Sequence, residues 1–111
     1  AFRVLPWLMI AAGVWAYPTD FSETCCTNAF EARAAGCVPV CPPLAALAES
    51  AKCDQGFFTR MTDQEGFDEE FVEACVKATQ VSSEDRARMS RDAIEQFSTE
   101  ALIPKWKKLL E

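Results

Sequence analysis

Cys37-Val38-Pro39-Val40-Cys41-Pro42-Pro43 divides the chain, and its reading decides the fold. Proline lacks the backbone N–H that a helix interior needs and clashes with the preceding turn. The stretch therefore predicts a stiff turn between helices, and no strand. Upstream, Asp20-Phe21-Ser22-Glu23 has the spacing of a capping box, an acceptor three residues before a Glu that reaches back. It predicts a helix over residues 20–35 that Gly36 stops in the left-handed conformation. Phe21, Cys25 and Ala29 share one face of it.

Downstream, Pro43 suits a first helical position, so a short helix is expected to Lys52 with Leu44, Leu47, Ala48 and Ala51 inward. Residues 54–66 read as loop, and the Phe57-Phe58 pair there needs cover from the core or a partner. The clearest helix spans residues 68–79, with Phe67, Phe71, Val72, Cys75 and Val76 as its apolar stripe. Ser82-Ser83-Glu84-Asp85 opens a fourth, whose inner face is Met89 or Ser90, Ala93, Ile94, Phe97 and Ala101. Pro104 kinks it or begins a new segment.

Residues 4–19 carry no charge. Their composition fits either a secretory signal cut after Ala16 or a short membrane helix retained over residues 1–19. The retained helix is the preferred expectation, with Trp7, Trp15 and Tyr17 suited to an interface and Arg3 on the near side. The expected fold is all-α: an apolar membrane-associated helix (1–19), then a disulfide-stapled bundle of about four helices ending in a docking helix (20–111).

The staples are expected from Cys25, Cys26, Cys37, Cys41, Cys53 and Cys75, an even number in a short chain. Each bridge would contribute roughly 2–5 kcal/mol, and bridges persist only in oxidising compartments. Cys25 and Cys26 are adjacent and each is expected to pair elsewhere, because a bridge between them is strained. Zinc is disfavoured: Cys37 and Cys41 have ligand spacing, but no second matching pair and no histidine accompany them.

Charge narrows the function. Residues 20–75 hold eleven acids against three bases, whereas residues 76–111 hold six acids against seven bases. An acidic centre does not suit phosphate backbones, so nucleic acid is not an expected partner. Without histidine no Ser-His-Asp or Cys-His pair exists, and there is no Gly-rich phosphate loop. A calcium loop over residues 61–72 fails, because its first and twelfth positions are Met61 and Val72. The chain is not expected to be an enzyme or to hold a cofactor or metal. At the C-terminus Leu102, Ile103, Trp106, Leu109 and Leu110 share a helical face beside Lys105, Lys107 and Lys108, which suits a lipid surface or a groove on a neighbour.

Small, helical and cysteine-stapled by this reading, the chain superficially resembles the twin C-x9-C subunits of the mitochondrial intermembrane space. Its cysteine gaps of 0, 10, 3, 11 and 21 residues depart from that motif. An apolar segment before an acidic part is similar instead to proteins sent to the thylakoid lumen or the secretory route. The expected function is a non-catalytic accessory subunit of a membrane protein complex, foremost a photosystem complex with this domain in the thylakoid lumen. Its partners would be other subunits and membrane lipid, with docking through Trp7, Trp15, Phe57, Phe58 and the C-terminal apolar face. The alternatives are a secreted disulfide-rich protein binding a small apolar ligand or receptor, and an accessory subunit of a mitochondrial respiratory complex.

Overall fold

A computed structural model describes residues 13–22 and 27–111. In chain order the elements are β1 (Val14–Ala16), α1 (Thr27–Ala34), β2 (Val38–Cys41), α2 (Leu47–Ser50), β3 (Phe57–Phe58), α3 (Phe67–Thr79), α4 (Ser83–Phe97) and α5 (Thr99–Leu110). The three strands form one parallel sheet in the order β1-β2-β3. The chain is therefore α/β rather than all-α, and the expected turn is its central strand.

Two features of β2 explain why it reads as something else. A central parallel strand is covered on both faces, so it shows a continuous apolar run instead of alternation. All four of its residues are buried. The second feature is Pro39, which a central strand ordinarily rejects. Val38 donates its N–H to Gly13 O at 2.9 Å, and Val40 O accepts from Tyr17 N at 2.9 Å. Alternate residues of β2 thus bond to β1, and the Pro39 nitrogen faces the other side. There β3 begins only opposite Val40, so no carbonyl of a paired strand waits for the missing donor.

The sheet is sandwiched. Val38 and Val40 pack with Ala74 and Ala78 of α3 and Met89 of α4, joined by Val14 and Phe57. Fully burying a Val or Met side chain is worth about 1.5–3 kcal/mol, so this layer is the main core. On the opposite face Cys41 packs with Ala29, Leu47 and Ala51, joined by Trp15 and Tyr17. The alanines let the helices approach the sheet closely.

The helix ends follow their signals. Gly36 has φ 84°, and Cys37 N bonds Ala32 O at 2.8 Å, closing α1 as expected. Ser82 caps α4 by accepting from Asp85 N at 3.1 Å, and Ser98 caps α5 by accepting from Ala101 N at the same distance. Pro104 lies inside α5, which continues through it. On α4, Arg86 ties four backbone carbonyls together. Its Nε donates to Val81 O (3.0 Å), its Nη2 to Ala78 O (2.9 Å), and its Nη1 to Gly36 O (3.2 Å) and Gly13 O.

Several expectations are corrected. Among the described residues no helix is long and apolar enough to cross a membrane. The segment 1–19 is not a continuous helix, because Val14–Ala16 is strand; residues 1–12 lie outside the described ones. Asp20 to Ser22 are not helical, and α1 begins at Thr27. The helix expected from Pro43 starts at Leu47, because Ala45 takes φ 50° and breaks it. Residues 57 and 58 form an edge strand within the expected loop. On α3 the buried face is Phe67, Ala74 and Ala78, leaving Val72 and Val76 in solvent.

The disulfide framework is also overturned. No bridge joins any two of Cys37, Cys41, Cys53 and Cys75. Cys37 and Cys41 lie four residues apart along extended chain, about 13 Å at strand rise, whereas a disulfide needs Cα atoms within about 7 Å. Cys25 and Cys26 lie outside the described residues.

Candidate functional site

Parallel strands point their carboxyl ends to one edge, so the segments that leave them meet there. Open α/β sheets bind ligands in the crevice outside that edge. Here all three departing segments contribute. Thr19 and Asp20 follow β1, Leu44 follows β2, and Met61, Thr62 and Asp63 follow β3; together they line a crevice of about 340 Å³. That size falls in the lower range of small-molecule sites.

The walls are held before any ligand arrives. After β1, Tyr17 stacks on Trp15 with ring centroids 4.8 Å apart, and Thr19 Oγ1 accepts from Phe21 N at 3.0 Å. After β2, Leu44 N bonds Pro42 O at 2.8 Å in a tight turn. The next residue, Ala45, is a non-glycine at φ 50°. A left-handed alanine costs about 1–2 kcal/mol, and such outliers cluster at functional sites. After β3, Arg60 fastens the loop to α3. Its N–H donates to Glu70 Oε1 at 2.7 Å, its Nε pairs with Glu70 Oε2 at 3.2 Å, and its Nη1 donates to Glu65 O at 2.8 Å. Gln64 Oε1 accepts from Met61 N at 2.8 Å. Gly66 completes the loop at φ 85°, where an added Cβ would lie 2.5 Å from Arg60 Nη1.

The chemistry of the lining is selective. Two carboxylates and two threonine hydroxyls surround the apolar side chains of Leu44 and Met61, and among the described residues no lysine or arginine lines the crevice. Carboxylates accept from hydroxyl donors in strong, charge-assisted hydrogen bonds. The same carboxylates repel phosphate. The crevice thus matches a hydroxyl-rich group with an apolar face. Among the described residues no three His, Cys, Asp or Glu side chains gather where they could hold a metal ion.

The residues singled out from the sequence lie elsewhere. Trp15 is half-buried in β1, Phe57 packs in the main core beside Val40, and Phe58 is exposed on the edge strand. Ile103, Trp106, Leu109 and Leu110 are exposed along α5, Leu102 is half-buried, and Trp7 lies outside the described residues. Cys37, just before β2, and Cys41, at its end, are buried, whereas Cys53 and Cys75 are half-buried free thiols. Burial pushes the Cys53 and Cys75 thiols up from their ordinary range; at Cys53 the Arg33 guanidinium opposes part of that shift. Burial raises Cys37 as well, against an opposing hydrogen bond with the Gly13 backbone and the charge of Arg86. Thiols raised in this way are weak nucleophiles at neutral pH.

The crevice residues were missed because nothing local marks them. Asp20 reads as a helix cap, Leu44 as core and Asp63 as a failed calcium ligand. Only the parallel topology brings them to one edge. Comparison with protein-family models, with curated proteins and with solved structures found no match for the chain.

Proposed function

We propose that the chain is a small-molecule-binding α/β domain whose ligand presents a polyhydroxylated group, a sugar or a ribose, to the carboxyl edge of the sheet. The observation that carries this reading is the convergence of all three post-strand segments on one crevice with Asp20 and Asp63 in its wall. The carboxylates and the Thr19 and Thr62 hydroxyls take the ligand's hydroxyls, and Leu44 with Met61 support its apolar face. Titration of the chain with free ribose, glucose and adenosine, followed by amide NMR, tests it. Saturable shifts confined to residues 19–20, 44 and 61–63 are expected. Asp63→Asn should weaken binding about ten-fold, the worth of one charge-assisted hydrogen bond. No saturable shift with any of the three would reject the reading.

A second reading, a non-catalytic docking subunit of a larger protein assembly, is favoured by α5. That helix has no buried residue, and Trp106, Leu109 and Leu110 are 60%, 75% and 80% exposed. Lys105, Lys107 and Lys108 flank this face, so the partner it fits is an apolar groove with an acidic rim. Sedimentation of the native protein with and without the paired changes Trp106→Ser and Leu109→Ser decides it. Dissociation of a larger assembly supports docking, and an unchanged mass for both forms removes it.

A further inference from the structure

Arg33 presents a charge that the fold leaves nearly unpartnered. Its side chain is only 2% exposed on α1. Nη1 donates to Ser50 O at 3.1 Å, and the guanidinium lies 5.3 Å from the centre of the Phe97 ring. Nε is buried with no acceptor, and no carboxylate among the described residues forms an ion pair with Arg33. A buried guanidinium without a counter-ion is a costly arrangement.

The same residue lines a cavity of about 440 Å³ between α1, α4 and the segment that runs from α2 toward β3. Phe97 lines it half-buried, while Glu49, Lys52, Asp54 and Asp92 are exposed around it. Three carboxylates against one lysine make the rim net negative. The interior is cationic and the entrance anionic.

We propose that this cavity is a binding site for a small monocarboxylate, whose oxygens serve as the acceptor and counter-ion that Arg33 lacks. The planar guanidinium matches a carboxylate in two parallel hydrogen bonds. The rim excludes dianions such as phosphate by like-charge repulsion. It admits a ligand with one negative charge whose far end is neutral or cationic, which describes simple carboxylic and amino acids. This site shares no residue with the crevice at the carboxyl edge, and neither proposal rests on the other.

The test is NMR titration of the 111-residue chain with acetate, glycine and inorganic phosphate at matched ionic strength, with chloride as the reference anion. Acetate and glycine should shift the Arg33 Nε–H signal and the amides of residues 52–56 saturably, and phosphate and chloride should not. Arg33→Met should weaken acetate binding about ten-fold or more, as loss of a charged hydrogen-bond donor does. Asp92→Asn alters only an exposed rim charge; it should keep acetate binding and tighten it. That variant, with the wild-type Nε–H signal, decides the matter even if Arg33→Met does not fold. No saturable shift at Arg33 with either carboxylate, or an equal response to chloride, would overturn the proposal. Tighter binding of phosphate than of acetate would overturn it too.

Discussion

Two arginines divide the molecule into a region that is finished and one that is not. Arg86 spends its guanidinium on four carbonyls, at the start of β1, in the turn before β2, at the end of α3 and in the link to α4. Gly13 makes room for it, since a Cβ there would stand 3.0 Å from Nη1. Arg33, on α1, has one carbonyl and one aromatic ring. Backbone carbonyls are strong acceptors, and four of them solvate a cation nearly as water does. The difference teaches that a charge inside this protein is structural where the backbone surrounds it, and available where a cavity does.

That contrast can be broken most directly at Arg86. Arg86→Met strips the donors from four carbonyls, some of which then lose their partner away from water. A stability loss of about 3 kcal/mol or more is expected in urea unfolding. A loss below about 1 kcal/mol would show that the clamp is dispensable. Arg33→Met, measured without any carboxylate present, should behave oppositely. Replacing an unpaired buried charge by an apolar chain of similar volume is neutral or stabilising, so a change within about 1 kcal/mol is expected. Equal losses for the two variants would erase the distinction between the regions.

A smaller effect sharpens the comparison further. Burial raises the Cys53 and Cys75 thiols above their unfolded range, and only Cys53 has Arg33 near it to oppose the shift. Since the folded pKa values are raised, each thiol's contribution to stability is complete at neutral pH. It is lost as the pH climbs past about 8.5 toward the folded values. Unfolding curves between neutral and alkaline pH should show that decline, and Cys53→Ala with Cys75→Ala should make it shallower, the buried Cys37 thiol supplying the remainder. A decline of the same slope in the double variant would place its cause elsewhere.

The parts of this fold legible in the sequence are those whose signals are local. The α3 span follows from periodicity, the start of α4 from the Ser82 cap and the end of α1 from Gly36. The expected fourth helix runs on past Ala101 to Pro104, whereas α4 stops at Phe97 and Pro104 lies inside α5. The sheet was hidden because its three strands have three, four and two residues, all too short for a period to appear. Trp15 and Val14 look alike in a run of apolar residues, although they face opposite layers. Cys37 and Cys41 suggested a staple because sequence spacing does not reveal extended chain. Arg33 and Arg86 carry no local signal either; one is clamped and the other faces a cavity solely because of what the tertiary fold brings near them.

Pro39 also governs which wrong structures are reachable. A slip of β2 by one residue would exchange the two layers that its faces pack against. Sliding β3 backward along β2 would set its carbonyl against a nitrogen that carries no hydrogen. Each such step would leave an acceptor stranded, so the ladder has a hard stop at one end. Foreign strands that approach this edge of β2 during folding meet the same stop. The residue that disguised the strand from its sequence therefore acts, once the strand exists, as a selector among its alternatives.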